Sequence, residues 1–363
     1  MRRSLASRSS PPLIFALASA LALGLGLEAC AGSAGDGAQG AAECPPCVAE
    51  GSAASAEPAT PAPPATHTTL PRPSSIELKA DDGHRLRLWH LAGGEHPPAS
   101  APAILLLHGR TWSSIPDFDL RVGDDPRLSL MHSLANRGVA TYALDLRGYG
   151  ETERDTSGWS EPDRAAEDVA SALAEIRERE GQTPDLLGWS YGALVAQLTL
   201  QRHPEAARKL VLYGYPRDPH AAGKEKPSSA APPADAPPSR PPRRANTAEA
   251  AASDFITPGS ISDAAISAFV AAALAADSHR ADWRKVEQFS ALDPAAIRSP
   301  TLVIHGVHDP IARPAWQAAL FQGLRVAERQ WVVVPGADHA AHLEDPDTFI
   351  RALVSFLEVE PGS

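Results

Sequence analysis

Asp185-Leu186-Leu187-Gly188-Trp189-Ser190-Tyr191-Gly192-Ala193-Leu194-Val195-Ala196 is the stretch that decides the fold. A short apolar run enters a turn with the pattern G-x-S-x-G and leaves it as a helical pattern running from Ala193 to Arg202. Such a strand-to-helix turn forces Ser190 into backbone angles that an L-residue avoids. Glycines two positions away on each side, Gly188 and Gly192, relieve the crowding between strand and helix. The context is that of a nucleophile elbow, which lifts the Ser190 hydroxyl above the C-terminal edge of a sheet. The alternative is a serine in a tight turn with no role.

Outward from the elbow, the same signal repeats. Ala103-Ile104-Leu105-Leu106-Leu107 is a continuous apolar run of the kind that forms a strand buried on both faces of a parallel sheet. Val139 to Leu144, Leu210 to Tyr213, Thr301 to Ile304 and Gln330 to Val334 follow it. A helical stretch from Ala165 to Glu180 has Ser160 and Pro162 as start signals. Strands alternating with helices mean right-handed crossovers, hence an α/β fold with a mostly parallel twisted sheet flanked by helices. Ser75 to Lys79 and His84 to Leu91 alternate polar and apolar residues around Asp81-Asp82-Gly83 and predict an antiparallel hairpin before it. The rhythm breaks over 216–299, first in a proline-rich low-complexity loop over 219–246, then in an Ala-rich helix from Ser262 to Asp277. That interval is expected to be a helical cap inserted between late strands of a core formed by 74–215 and 300–361.

Serine chemistry needs a base, an acid and an oxyanion hole. His108-Gly109-Arg110 follows the first buried strand, where one oxyanion amide is drawn from the chain, so the Arg110 and Tyr191 N–H groups are the expected pair. Asp309 follows the next-to-last strand and His339 the last, in the chain order Ser, Asp, His. Both fall at C-terminal strand ends, where ligands bind in open α/β sheets. His342 is the rival base and is expected to pack beside the site; Asp218 is the rival acid; His305 and His308 read as structural. Asp338 adjoins His339, a spacing that rarely allows the needed side-chain bond. Trp112 and Trp189 are expected to wall an apolar substrate pocket.

His108-Gly109, Asp145-Leu146-Arg147-Gly148-Tyr149-Gly150, the G-x-S-x-G turn, His305-Gly306 to Asp309-Pro310, and Gly336 to His339 with His342-Leu343-Glu344 together resemble the α/β-hydrolase superfamily over about residues 75 to 358. The resemblance implies a serine esterase-like hydrolase acting through an acyl-enzyme on a small-molecule ester, with no metal and no organic cofactor. Members that open epoxides or cleave haloalkanes carry an Asp where this chain has Ser190. An aminopeptidase or amidase, which needs a carboxylate in the cap for the substrate amine, uses the same triad; Asp254, Asp263, Asp277 and Asp282 are candidates with no pattern selecting one. An acyltransferase is equally compatible. From another class comes a non-catalytic, surface-tethered binding module.

Composition bounds the rest. Of 35 prolines in 363 residues, ten precede residue 74 and eight lie between Pro219 and Pro242, so about half sit outside any packed core. What remains suits one large α/β domain. The net charge of −11, without a basic patch interleaved with aromatics, argues against nucleic-acid binding. Residues 1–29 read as an export signal, with Arg2, Arg3 and Arg8 before an apolar run from Leu13 to Leu27. Leu27-Glu28-Ala29-Cys30 resembles a bacterial lipobox, in which Cys30 receives lipid. The expectation is an exported, membrane-anchored lipoprotein on the periplasmic or outer surface, otherwise a secreted protein. Residues 30–73, rich in Ala, Gly, Pro and Ser, then form a disordered tether carrying a Cys44 and Cys47 pair.

Overall fold

Eight strands form one sheet: β1 Ser74–Lys79, β2 Arg85–Leu91, β3 Ala103–Leu107, β4 Ala140–Asp145, β5 Asp185–Trp189, β6 Leu210–Tyr213, β7 Thr301–Gly306 and β8 Arg329–Val334. Nine α-helices accompany them: α1 Ser114–Phe118, α2 Leu130–Ala135, α3 Pro162–Glu180, α4 Tyr191–Arg202, α5 Ala248–Ala252, α6 Asp263–Ala276, α7 Pro314–Gly323, α8 Ala341–Glu344 and α9 Pro346–Leu357. These counts hold for the residues that the structure, a computed structural model, describes: 70–94, 102–123, 125–221 and 240–359. All of them lie within one compact unit, Ala65–Ser363. The expected signal peptide, the lipidation residue Cys30, and the tether as far as residue 69 lie outside the described residues. Among those described, no helix is long and apolar enough to cross a membrane.

The strand order is β1-β2-β4-β3-β5-β6-β7-β8. The β1–β2 hairpin pairs antiparallel onto β4, and β3 to β8 run parallel beside it. Alternation within each strand splits the core in two. Leu105 and Leu107 of β3 join the apolar face covered by α3, α4 and α7, whereas Ile104 and Leu106 join the face covered by α2 and α9. Buried residues of α9 at Phe349, Ile350, Leu353, Phe356 and Leu357 keep the three-and-four spacing of one helical stripe. Central strands buried on both sides are why their sequences read as unbroken apolar runs.

Between β6 and β7 the chain leaves the sheet and builds α5 and α6, which carry a third apolar cluster of Trp112, Leu120, Ala251, Phe269, Ala273 and Leu343. Ser262 caps α6 by accepting from the Ala265 N–H, as its position before the Ala-rich run predicts. This insertion packs over loops at the C-terminal strand ends. Residues 222–239 of the low-complexity loop lie outside the described residues, but 240–246 is more than a loop. Arg244 O accepts from Arg280 N at 2.9 Å, and Asn246 Nδ2 donates to Asp277 O at 2.9 Å, so composition alone set that boundary too late.

Candidate active site

Ser190 sits between β5 and α4 with φ 55° and ψ −118°, in the strained region expected of the elbow. Sterics explain both flanking glycines. A Cβ on Gly188 would lie 2.3 Å from Gly192 O, and one on Gly192 would lie 2.5 Å from the carbonyl oxygens of Leu107 and His108. Ser190 N donates to Tyr213 O at 2.8 Å, tying the turn to β6.

His339 and Asp309 meet as their chain order predicts: His339 Nδ1 lies 2.8 Å from Asp309 Oδ2, with both side chains buried. With Nδ1 donating to the carboxylate, Nε2 is left as the acceptor. The other Asp309 oxygen accepts from Ile311 N at 2.8 Å and Ala312 N at 2.7 Å, so the acid is fixed by its own loop. The histidine's carbonyl accepts from Trp189 Nε1 at 2.9 Å and Tyr213 Oη at 3.0 Å. Gly214, at φ 57°, lets the imidazole approach, since a Cβ there would lie 3.2 Å from His339 Cε1.

Ser190 and His339 line one cavity of about 330 Å³, together with Arg110, Tyr191, Trp112 and Trp189. Gly109 N donates to Asp117 Oδ2 at 3.1 Å, and the Arg110 carbonyl accepts from Tyr149 Oη, which holds the loop after β3 from two sides. Tyr191 opens α4, where first-turn amides point out of the helix N-terminus. The exposed Arg110 guanidinium lies over the Tyr191 ring at 5.2 Å. Trp112 and Trp189 are only 2% and 3% exposed, so each is a core ring that shows one edge to the cavity.

The rivals are occupied elsewhere. His342 contacts Tyr213 Oη through Nδ1 at 2.9 Å and Asp117 O through Nε2 at 2.7 Å, and burial pushes it down to about 4. Asp218 accepts from His220 N within its own turn. His305 is buried against Gly306 O, whereas His308 is exposed. Of the four carboxylates weighed in the insertion, only Asp254 lines the cavity. Asp277 accepts from Ser113 N and Gly150 N, both at 2.8 Å, and Asp282 pairs with Arg154 at 2.9 Å. Asp263 is exposed in the first turn of α6.

Sequence reasoning missed Asp338. Its Oδ1 accepts from His339 N, while Oδ2 accepts from Ile256 N at 3.1 Å and from Thr257 N, so one carboxylate joins the insertion to the histidine loop. Glu344 extends the tie, accepting from Asp338 N and Ser260 Oγ, both at 2.6 Å, and burial pushes it up to about 7. Backbone amides carry no residue-type signature, so only the adjacency of Asp338 to His339 was available as a signal.

For a metal, the described residues bring together Asp81, Asp82 and Asp168. Arg147 reaches Asp168 at 2.7 Å and Asp82 at 2.8 Å, and Arg164 pairs with Asp81, so guanidinium groups already neutralise that trio.

Comparison with known proteins agrees with this fold. The mouse (Mus musculus) "Serine hydrolase BPHL" is 30% identical over 135 residues, 37% of this chain and 41% of that protein, so the match spans less than half of the relative's length. An alpha/beta hydrolase fold protein from Chitinophaga pinensis superposes with a TM-score of 0.55 at 16% identity, covering 81% of this chain and 99% of that one. The esterase RhEst1 from Rhodococcus sp. gives 0.52 at 20% identity, covering 78% and 98%. At such identities these structures speak for the fold alone. The profile of the alpha/beta hydrolase family matches residues 104–352, well over half the chain, and the protein therefore belongs to that family.

Proposed function

We propose that the protein is a serine hydrolase that cleaves carboxylic esters of small to medium apolar substrates through an acyl-enzyme. One observation carries the reading: a histidine bonded at 2.8 Å to a buried carboxylate shares a cavity with a serine held at φ 55°. In this reading Ser190 Oγ attacks the acyl carbonyl carbon while His339 Nε2 takes its proton. Asp309 holds the imidazole in the tautomer with Nε2 open and stabilises the imidazolium that forms. The Arg110 and Tyr191 amides receive the negative charge on the carbonyl oxygen, each contributing on the order of 2.7–4 kcal/mol. His339 then protonates the departing alkoxide, and water repeats the sequence on the acyl-enzyme. Trp112 and Trp189 form the apolar wall against which the acyl group rests.

A fluorophosphonate probe and a panel of p-nitrophenyl esters test this. Wild-type protein should be labelled at Ser190 and should turn over at least one ester; an intact, folded protein that does neither is the non-catalytic binding module. Amide cleavage and acyl transfer use the same groups and differ in the leaving group or acceptor, so aminoacyl anilides and added alcohols belong in the panel.

We further propose export and anchoring through lipid on Cys30, with membrane contact made by the lipid. Cys30→Ser should then move the mature protein from the membrane pellet to the soluble fraction without changing turnover of soluble esters. A wild-type protein already soluble after export would leave simple secretion.

A further inference from the structure

We infer that Tyr149 and Trp283 are positioning residues for the oxyanion amide of Arg110, and that the insertion reaches that amide through the indole N–H of Trp283 and the phenol of Tyr149. The inference deepens the hydrolase reading and rests on it.

The direction of the Arg110 N–H is set by the backbone polar groups around it. Gly109 N donates to Asp117 Oδ2 at 3.1 Å, Gly109 O accepts from His108 Nδ1 at 2.9 Å, and Arg110 O accepts from Tyr149 Oη. Among the described residues, Arg110 N itself has no hydrogen-bond partner. A trans peptide holds its C=O and N–H on opposite sides, so turning Gly109 O toward His108 turns the Arg110 N–H away from it. The loop lies against the serine: a Cβ on Gly109 would lie 3.8 Å from Ser190 Cβ, and Arg110 and Ser190 line one cavity. Of the three supports, only the one through Tyr149 leads back to the insertion.

Tyr149 is 1% exposed, in the turn after β4, with its ring 4.4 Å from that of His108. An indole N–H can only donate and a carbonyl can only accept, so Trp283 Nε1 gives its hydrogen to Tyr149 Oη at 2.7 Å and Tyr149 gives its own to Arg110 O. The direction of the chain is thereby fixed, and each bond polarises the next. Burial raises the Tyr149 phenol above its ordinary range, so the hydroxyl keeps that hydrogen. Trp283 is itself clamped: its segment pairs with Ser160, which donates to Asp282 O at 2.8 Å and accepts from Arg284 N at 3.0 Å. Its indole ring also meets the Tyr191 ring edge-on at 4.8 Å. One side chain of the insertion thus reaches both residues whose amides form the proposed oxyanion hole, Tyr191 directly and Arg110 through Tyr149. Such donors meet charge that develops during reaction, and a misplacement of about 1 Å costs up to about 10²-fold, so the effect belongs in kcat.

Tyr149→Phe and Trp283→Phe are made singly and together in the full chain, with folding checked by melting. Tyr149→Phe should lower kcat for p-nitrophenyl acetate by about 10- to 100-fold with KM unchanged within about threefold. Trp283→Phe, which keeps a ring against Tyr191, should lower it by about three- to tenfold. Together they should lose no more than Tyr149→Phe alone, because Trp283 acts through a hydroxyl that is already gone. Losses that multiply, a KM that rises at constant kcat, or a folded Tyr149→Phe variant that keeps its kcat would overturn the inference. A second arm needs no turnover: hydrogen exchange of the amides over 109–112 should quicken at least about fivefold in both single variants, while β3 and α4 exchange as in wild type. Equal exchange over 109–112 would also overturn it. If Tyr149→Phe does not fold, Trp283→Phe decides, and wild-type kcat and exchange there sink the idea. A folded wild type that hydrolyses no ester counts against the hydrolase reading, and the exchange arm then decides the coupling of Trp283 to the loop.

Discussion

At the elbow, Ser190 is held in strained angles by backbone packed on backbone: Gly188 against Gly192, and Gly192 against Leu107 and His108. The insertion between β6 and β7 reaches the same cavity, yet it is held by carboxylates that accept backbone N–H groups across long stretches of chain. Asp277 takes Ser113 N and Gly150 N, and Asp338 takes Ile256 N and Thr257 N. The first arrangement is rigid because any added atom collides. The second depends on a few side-chain bonds and is open to titration and to single substitutions. The half of the site that holds the proposed nucleophile is thus fixed by sterics, and the half that shapes the cavity is fixed by hydrogen bonds.

The strongest way to separate the two is to remove chemistry without touching either support. Ser190→Ala should lower ester turnover by on the order of 10⁴-fold or more while leaving the melting midpoint nearly unchanged, because the hydroxyl faces the cavity and the strained backbone stays. Retention of more than a few per cent of activity would sink the assignment. Asp309→Asn comes next, with a loss of about 10⁴-fold, since an amide N–H facing His339 Nδ1 enforces the wrong tautomer while Oδ1 can still accept from the loop. Asp218→Asn should be silent, and the reverse pattern would move the acid to the loop after β6.

A smaller effect is expected at the tie. Asp338→Ala strands the amides of Ile256, Thr257 and His339, which should cost about 2–3 kcal/mol and lower the melting midpoint by about 5–10 °C. Activity should fall along with stability, the opposite of Ser190→Ala, and a variant that keeps both would show the tie to be dispensable. Glu344 sharpens the same point through pH. Its folded pKa, about 7, lies above the ordinary glutamate range, so the folded state holds the proton more tightly. Its contribution to stability is full below that ordinary range and is lost as the pH rises through about 7. The melting midpoint of wild type relative to Glu344→Gln should therefore be higher at pH 5 than at pH 8; a constant offset would mean that Glu344 does not titrate as described.

The smallest effect should come from the proline-rich loop. Residues 222–239 contain no large aliphatic or aromatic side chain, and loop length enters stability only logarithmically. Replacing them with a short Gly/Ser linker should shift the melting midpoint by no more than about 2 °C and leave small-ester turnover intact. Extending the replacement through Asn246 should cost more, because the Asn246 side-chain bond to Asp277 O goes with it and the backbone pairing of Arg244 with Arg280 is loosened. Equal effects from the two replacements would show that 240–246 adds nothing.

What this sequence determined by itself follows from rules that act over a few residues. Continuous apolar runs become parallel strands, buried on both faces except at the β8 edge, where Trp331 and Val333 stay exposed; glycines flanking Ser190 permit a turn no other residue fits, and the order Ser, Asp, His sets three side chains at the ends of β5, β7 and β8. That was enough for the sheet, the elbow and the pairing of Asp309 with His339. Tertiary structure alone decided which of four insertion carboxylates faces the cavity, that Asp338 and Asp277 bind amides 81 to 164 positions away, and that 240–246 is paired. The reason is physical. Backbone N–H groups are the same at every position except proline, so a carboxylate that binds them leaves no matching residue type to find, and only the folded chain brings the two together.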